Sequence, residues 1–163
     1  MREDILQELY ETHYHSAYLY ALSLCKEKAW AEDIVSDAFE RAMVTLEEGG
    51  QGFRYWLLRV CKNLFLDEVR RMRRRSGETL PEVAVPEDAL ATALRREENR
   101  RLYHGIAALP QRYAELLTLY YFAGLSLQQA ADFLGISYGA AKTALFRARV
   151  QLRQRLEEDG YDL

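Results

Sequence analysis

Apolar side chains recur every three or four residues along the first part of the chain, the spacing of amphipathic helices rather than of β-strands. Three such stretches occur, at residues 4–25, 30–46 and 53–74. The segment Glu47–Gly52 between the last two has three glycines and no apolar residue, so it predicts a loop. Because three amphipathic helices of this length can bury a shared core, we predict a first helical domain at residues 1–75.

The helical pattern is interrupted at residues 76–92. This segment holds two of the three prolines, four acidic residues and no basic one, and its apolar residues show only weak periodicity. Such a composition is typical of a flexible or extended linker. The helical pattern resumes at Ala93. We therefore predict an all-α protein with two small helical domains joined by a flexible linker, the second domain occupying residues 93–163.

The second domain ends in a pattern that predicts two helices joined by a tight turn. Ser126 followed by Gln129 is a capping-box pattern, and Gly135 can adopt the positive φ that the turn requires. Ser137 then caps a second helix, which has five basic residues before its first acidic one. Its apolar positions recur at helical spacing: Ala141, Leu145, Ala148 and Leu152. The pattern predicts a helix-turn-helix, whose second helix lies in a DNA major groove; a helical hairpin with a solvated basic face is the alternative.

The net charge of −3 hides an uneven distribution of charge along the 163 residues. Residues 1–52 have eleven acidic residues and four basic ones, whereas residues 53–75 have eight basic residues and two acidic ones. Together with the basic C-terminal helix, this gives two basic surfaces on an otherwise acidic protein. We therefore expect two separate contacts with an anionic partner such as nucleic acid.

Other kinds of function find no support in the sequence. No apolar run approaches the roughly 20 residues that cross a bilayer, and the N-terminus is acidic where a signal peptide is basic, so we expect a cytoplasmic protein without membrane insertion. Cys25 and Cys61 each lie in an apolar stripe, which favours structural thiols over a disulfide or metal ligands. Because no catalytic, cofactor-binding or metal-ligand motif is present, we expect neither an enzyme nor a bound cofactor or metal.

Two pairs of motifs carry a family resemblance. The segment AEDIVSDAFERA at 31–42, followed by FRYWLLRVCKNLFLDEVRR at 53–71, resembles the second conserved region of bacterial RNA polymerase sigma factors. The segment LPQRYAELLTLYYFAGLSLQQAADFLGIS at 109–137, continued by KTALFRAR at 142–149, resembles their fourth region. Both regions with only a linker between them resemble the extracytoplasmic-function (ECF) class of the sigma-70 family. The resemblance implies an alternative sigma factor, which directs core RNA polymerase to specific promoters and assists DNA melting.

The resemblance implies that the first of these motifs binds core RNA polymerase. The contacts would come from Asp33, Asp37, Phe39 and Arg41. Two alternatives stay open from the residues alone. The acidic pair could be a solvated helix face, with a small repulsion between residues four apart, and Phe39 could simply be core.

The resemblance implies that the following basic helix recognises the −10 element. Asn63 matches the asparagine that helps relatives to hold a base extruded from the non-template strand. Four basic residues would follow the phosphate backbone: Arg59, Lys62, Arg70 and Arg71. Trp56 occupies the family's tryptophan position. Its side chain could belong to the core or could stack against the extruded base, and we favour the core. The preceding loop, LEEGGQG, differs from that of relatives, in which this loop forms the pocket for the extruded base. Here the loop is shorter, and it is acidic.

The resemblance implies that the second helix of the helix-turn-helix recognises the −35 element. Backbone N–H groups at its N-terminus would hold a phosphate, at Ser137, Tyr138 and Gly139. Lys142 and Thr143 would contact base edges, and Arg147 a base or a nearby phosphate. Phe146 would either pack beneath the helix or touch the backbone sugars. Arg149 would clamp a phosphate. Ala144 stands where relatives often have a polar or basic side chain, which removes one contact.

The resemblance further implies an anti-sigma factor as a partner, and a monomer when the protein is free. Two functions of other classes are the alternatives. One is a helix-turn-helix transcriptional regulator that binds DNA without recruiting polymerase. The other is a helical interaction protein whose basic faces bind an acidic partner.

Overall fold

The computed structural model describes residues 2–45, 52–80 and 83–160, which form eight α-helices and no β-strand. The chain divides into two compact units, Met1–Val83 and Ala84–Leu163. The all-α class predicted from the periodicity is therefore confirmed.

The first unit is a bundle of three helices, α1 (Arg2–Cys25), α2 (Lys28–Thr45) and α3 (Phe53–Ser76), each of which packs on the other two. Its core is built from large side chains with almost no exposed surface: Tyr20, Leu22, Val35, Leu57, Leu58 and Cys61. The stripe predicted along the whole of α1 is core only in its second half. Ile5 and Tyr10 remain 46% and 43% exposed, so the first half of α1 presents apolar side chains at the surface.

Both cysteines are free and buried, in agreement with the prediction of structural thiols. Burial raises the pKa of the Cys25 thiol to about 11 and that of Cys61 to about 12. Because the thiolate is the reactive species, we expect a thiol reagent at pH 8 to label the unfolded chain but not the folded one. An unfolded thiol ionises near pH 8.5, so the stabilisation by neutral buried thiols is complete below that pH. It should be lost as the pH rises through the folded pKa values. Rapid labelling of the native protein would contradict this prediction.

The second unit contains α4 (Glu87–Ala91), α5 (Glu97–Ala107), α6 (Gln111–Tyr121), α7 (Leu127–Leu134) and α8 (Tyr138–Glu158). Helix α8 packs on α5, α6 and α7. The approach of α5 to α8 is close at Gly105, where an added Cβ would lie 3.1 Å from the side chains of both Leu152 and Leu156. A residue without a side chain therefore sets the spacing of this helix pair.

The prediction of a flexible linker at residues 76–92 is wrong for its second half. Residues 87–91 form α4, in which Ala89 and Leu90 are buried. Glu87 links this helix to α5 through two contacts of its carboxylate. It accepts a hydrogen bond from Arg100 Nε at 3.1 Å and lies 2.7 Å from His104 Nε2. The apolar stripe of so short a helix has too few positions to appear as a periodic pattern.

Leu90 provides a test of this assignment. We expect Leu90→Ala to lower the free energy of unfolding by about 2–5 kcal/mol, because truncating a fully buried leucine leaves a cavity. The control is Asp88→Ala on the exposed face of α4, which should change stability by no more than about 0.5 kcal/mol. Chemical denaturation of the full chain is the measurement. Equal stability of the two variants would show that α4 is not part of the core.

Candidate nucleic-acid and protein interfaces

The turn between α7 and α8 has the capping that the sequence predicted. Gln129 N donates to Ser126 Oγ at 3.1 Å while Ser126 N donates to Gln129 Oε1 at 2.9 Å, which completes a capping box. Gly135 ends α7 at φ 70°, a conformation that costs glycine little. Ser137 then accepts a hydrogen bond from Ala140 N at 3.0 Å and starts α8.

Helix α8 buries the predicted apolar stripe and exposes every side chain predicted to contact the −35 element. The buried residues are Ala141, Leu145, Ala148 and Leu152. The exposed residues are Ser137, Tyr138, Gly139, Lys142, Thr143, Phe146, Arg147 and Arg149. Phe146 is 71% exposed and therefore does not pack beneath the helix. Lys142 Nζ lies 5.7 Å from the centre of the Tyr138 ring, a cation–π contact at the start of the exposed face.

Arg149 has a partner that the sequence did not indicate. Its Nε donates to the hydroxyl of Tyr121 at 2.7 Å, and its guanidinium lies 5.9 Å and 5.7 Å from the rings of Tyr120 and Tyr121. The two ends of this contact are 28 positions apart, which is beyond the reach of helical periodicity. The paired tyrosines at the end of α6 were the only available signal.

A groove between α6 and α8 places one further basic residue, Arg112, next to the exposed face of α8. Its lining includes Arg112 and Leu116 from α6, Ile136 from the turn, and Thr143 and Arg147 from α8. The guanidinium of Arg112 is 4.7 Å from the centre of the Tyr113 ring. Sequence reasoning did not single out Arg112, because an arginine in the first turn of a helix has no motif to mark it.

Helix α3 presents the residues predicted to contact the −10 element. Trp56, Arg59, Asn63 and Arg70 recur at a spacing of three, four and seven residues, which places them on one side of the helix. Asn63 and Arg70 are exposed, as is Arg71, whereas Trp56, Arg59 and Lys62 are partly buried.

The cations of α3 have partners of their own. Arg59 Nη2 donates to the Tyr55 hydroxyl at 3.2 Å, one turn earlier. Two ion pairs join Arg70 to Asp67 at 3.2 Å and Arg71 to Glu68 at 3.7 Å. Exposed ion pairs of this kind are worth only about 0–1 kcal/mol, so a phosphate can displace the carboxylates at little cost.

An aromatic cluster surrounds the start of α3. Phe53 is buried and packs against His13 and Phe39, with ring centres 5.2 Å and 6.2 Å apart. Trp56 lies 5.7 Å from Phe53 and keeps part of its surface exposed, so the prediction that it is core is only half right. Burial, followed by the charge of Arg54, lowers the pKa of His13 and favours its neutral form. The predicted base-pocket loop precedes this cluster, and its residues 46–51 lie outside the described residues.

Helices α1 and α2 enclose a groove with an aromatic floor and an acidic rim. The floor includes Tyr10, Tyr14 and Phe39, with the rings of Tyr10 and Phe39 5.0 Å apart. The rim has four carboxylates: Glu3, Glu32, Asp33 and Glu40. The sequence did not reveal this groove, because the apolar stripe of α1 does not show that its first half stays exposed.

The four residues predicted to contact polymerase divide between the rim, the floor and the outer face of α2. Asp33 lies on the rim of the groove, and Asp37 and Arg41 are exposed on α2 outside it. Phe39 is 8% exposed, so it belongs to the core and meets the groove only as part of its floor. Its direct contact with a partner stays a prediction.

The described part of the chain holds neither a cluster of metal ligands nor a helix that could cross a membrane. Within 2–45, 52–80 and 83–160, no three histidine, cysteine, aspartate or glutamate side chains cluster as metal ligands would. No helix in these ranges is both long enough and apolar enough to cross a membrane.

Comparison with known proteins identifies both halves of the chain. Residues 9–75 match the family description "Sigma-70 region 2" and residues 99–152 match "Sigma-70, region 4". The ECF RNA polymerase sigma factor SigM of Bacillus subtilis is 30% identical over 158 residues, which cover 91% of this chain and 93% of SigM. SigL of Mycobacterium tuberculosis, also named an ECF RNA polymerase sigma factor, is 31% identical over 96% of this chain and 91% of its own.

The fold agrees with these matches. The sigma factor RpoE of Bartonella quintana, solved in complex with the anti-sigma factor NepR, superposes with a TM-score of 0.72. It is 25% identical in sequence, and the match covers 95% of this chain and 98% of RpoE. The chain therefore belongs to the sigma-70 family of RNA polymerase sigma factors, within its ECF class.

Proposed function

We propose that this protein is an alternative sigma factor that directs core RNA polymerase to specific promoters and assists their melting. The observation that carries the proposal is the presence of region 2 and region 4 in one chain, in that order. A regulator that only bound DNA would have no need of region 2, whereas a sigma factor needs polymerase contacts and promoter contacts together.

The −35 contacts are assigned to the exposed face of α8. Lys142 and Thr143 meet base edges, and Arg147 meets a base or the adjacent phosphate. Phosphate is held at the helix start by the backbone N–H groups of Tyr138 and Gly139, because the cap at Ser137 takes the N–H of Ala140 instead. Support comes from the exposure of these residues and from the absence of acidic side chains between Ser137 and Leu156.

The −10 contacts are assigned to α3. Asn63 holds an extruded base of the non-template strand, while Arg59, Lys62, Arg70 and Arg71 follow its phosphates. The partly exposed Trp56 lies about two turns before Asn63 on the same side of α3 and offers a stacking surface there. The unstacking cost of a few kcal/mol is offset by these contacts.

Asn63 gives the sharpest test of the −10 assignment. We expect Asn63→Ala to reduce promoter opening by about 5- to 150-fold, equivalent to roughly 1–3 kcal/mol for one lost base contact. Polymerase binding and thermal stability should not change, because the amide is exposed. Permanganate reactivity of promoter thymines measures the opening. The matched control is Asn99→Ala, an exposed asparagine in α5. Equal opening by the two variants would contradict the assignment.

Core polymerase is assigned to α2 and the groove that it forms with α1. Asp33 and Asp37 provide charge on the exposed side of α2, and Tyr10 and Phe39 provide an aromatic surface beside it. A basic helix with a few apolar side chains is the chemistry that fits an acidic rim over an aromatic floor.

An anti-sigma factor is part of the proposal. The Bartonella quintana neighbour was solved with such a partner, and the exposed apolar residues of α1 and α8 are surfaces that an inhibitor could cover. We expect the protein isolated from its native host to contain a stoichiometric inhibitor that blocks polymerase binding. Isolation of free, fully active protein under non-inducing conditions would contradict this part.

The overall function is tested by mixing the purified protein with bacterial core RNA polymerase and transcribing a library of promoter templates. Stoichiometric binding and initiation from a defined −35/−10 pair are the expected result. Folded protein without an inhibitor that failed to bind core polymerase would exclude a sigma factor. It would leave the helix-turn-helix regulator, which selection from random duplexes would then identify.

A further inference from the structure

A hydrogen bond between α6 and α8 joins a residue of the candidate DNA face to one outside it. Arg149 Nε donates to the Tyr121 hydroxyl at 2.7 Å, a short distance for a charge-assisted bond between different helices. The comparable pair in the first unit, Arg59 and Tyr55, is longer at 3.2 Å and lies within one helix. The contact between α6 and α8 therefore depends on the packing of the second unit.

The contact restrains the guanidinium on more than one side. In addition to the hydrogen bond, its central carbon lies 5.7 Å from the centre of the Tyr121 ring and 5.9 Å from that of Tyr120. The hydrogen bond to Tyr121 also raises the pKa of Arg149 above its ordinary value. A long side chain that would otherwise sample many rotamers is thus held against one surface.

The bond to Tyr121 leaves the terminal nitrogens of this cation open towards solvent, with the Tyr120 hydroxyl as a weaker neighbour. A guanidinium has five N–H donors, and the bond to Tyr121 uses the single donor on Nε. The four donors on the two terminal nitrogens form the fork that binds phosphate oxygens side by side. Arg149 is exposed, so this end of the side chain is accessible from solvent.

We infer that Tyr121 is a positioning residue for promoter binding, which holds Arg149 so that its terminal nitrogens meet a DNA phosphate beside the −35 element. This inference rests on the proposed contact of α8 with DNA. Tyr121 does not itself touch the duplex; it acts by removing the ordering cost that Arg149 would pay on binding. Tyr121 keeps 42% of its surface exposed at the end of α6, beside the exposed face of α8 to which its hydroxyl is bonded.

The test compares Tyr121→Phe, Arg149→Ala and the double variant in the full-length protein. The probe is a 30-base-pair duplex of random sequence, because phosphate contacts do not depend on sequence. We expect Tyr121→Phe to weaken binding roughly three- to tenfold. Arg149→Ala should weaken it more and reduce the slope of log K against log salt by about 1. Tyr121→Phe should have no further effect once Arg149 is alanine.

The outcomes separate this inference from the proposed function. If Arg149→Ala weakens binding and Tyr121→Phe does not, the positioning role is overturned while the DNA contact of α8 stands. If Tyr121→Phe weakens DNA binding equally with and without Arg149, the hydroxyl supports the fold. That outcome would also overturn the positioning role. A third outcome is that neither Arg149→Ala nor the double variant Lys142→Ala, Arg147→Ala changes DNA binding. In that case the proposed contact of α8 with DNA fails, and the positioning role of Tyr121 fails with it.

Discussion

Replacing Lys142 and Arg147 together by alanine is expected to abolish promoter-directed transcription while leaving the binding of core polymerase intact. Both side chains are exposed on the acid-free face of α8, behind a capped turn that fixes the start of the helix. A well-placed side-chain contact with a base is worth about 1–3 kcal/mol. Two lost contacts therefore correspond to a loss of roughly 30-fold to 20,000-fold in affinity for the correct promoter.

The matched control removes two charges from the same helix, with Arg153→Ala and Arg155→Ala. Both residues are exposed but lie more than about four turns beyond the start of α8. We expect the control to weaken all duplexes to a similar and smaller extent, since phosphate contacts carry no sequence information. Binding should be measured on the −35 sequence and on a scrambled one. Equal discrimination between these duplexes by the Lys142, Arg147 variant and the unmodified protein would contradict base recognition by α8.

Replacing Asp33 and Asp37 by alanine is expected to have the opposite effect, a loss of core polymerase binding with duplex binding retained. Asp33 lies on the rim of the groove between α1 and α2, and Asp37 is one turn further along α2. Removing one partner of a charge pair that is desolvated in an interface costs about 2–5 kcal/mol. We therefore expect the dissociation constant for core polymerase to rise at least about 100-fold.

A control with the same change in charge is Glu8→Ala with Glu11→Ala. These glutamates are exposed on α1 but do not line the groove. Replacing them should lower polymerase affinity by less than about threefold. The effect would come only from the long-range electrostatic attraction between protein and polymerase, which salt screens. Size-exclusion chromatography with core polymerase, at two salt concentrations, makes the comparison. Similar losses from the two variants would mean that net charge, rather than this groove, determines binding.

The agreement between sequence and structure is best where structure is local. Three local features were predicted correctly: the capping box at Ser126, the positive φ of Gly135 and the cap at Ser137. Each of them depends only on residues within about four positions of it, so its pattern is visible in the sequence. The buried stripe of α8 was predictable for the same reason. The family resemblance, which covers both units, then identified the function from motifs that periodicity alone could not interpret.

The disagreements occur where contacts span distant positions. The burial of Leu90, the fixing of Arg149 by Tyr121 and the groove that joins Tyr10 to Phe39 each depend on how helices pack. A periodic pattern shows which side of a helix is apolar, but it does not show how much of that side a neighbour covers. The predicted stripe of α1 is exposed in its first half for this reason.

The sequence by itself determined that the protein is helical, that it has two units, that its basic residues lie on α3 and α8, and that it resembles an ECF sigma factor. These properties depend on residue type and short-range spacing, which the chain displays directly. Only the tertiary structure decided which of the candidate residues are accessible and which are held by others. Accessibility and preorganisation are properties of packing between residues far apart in sequence, and no local pattern encodes them.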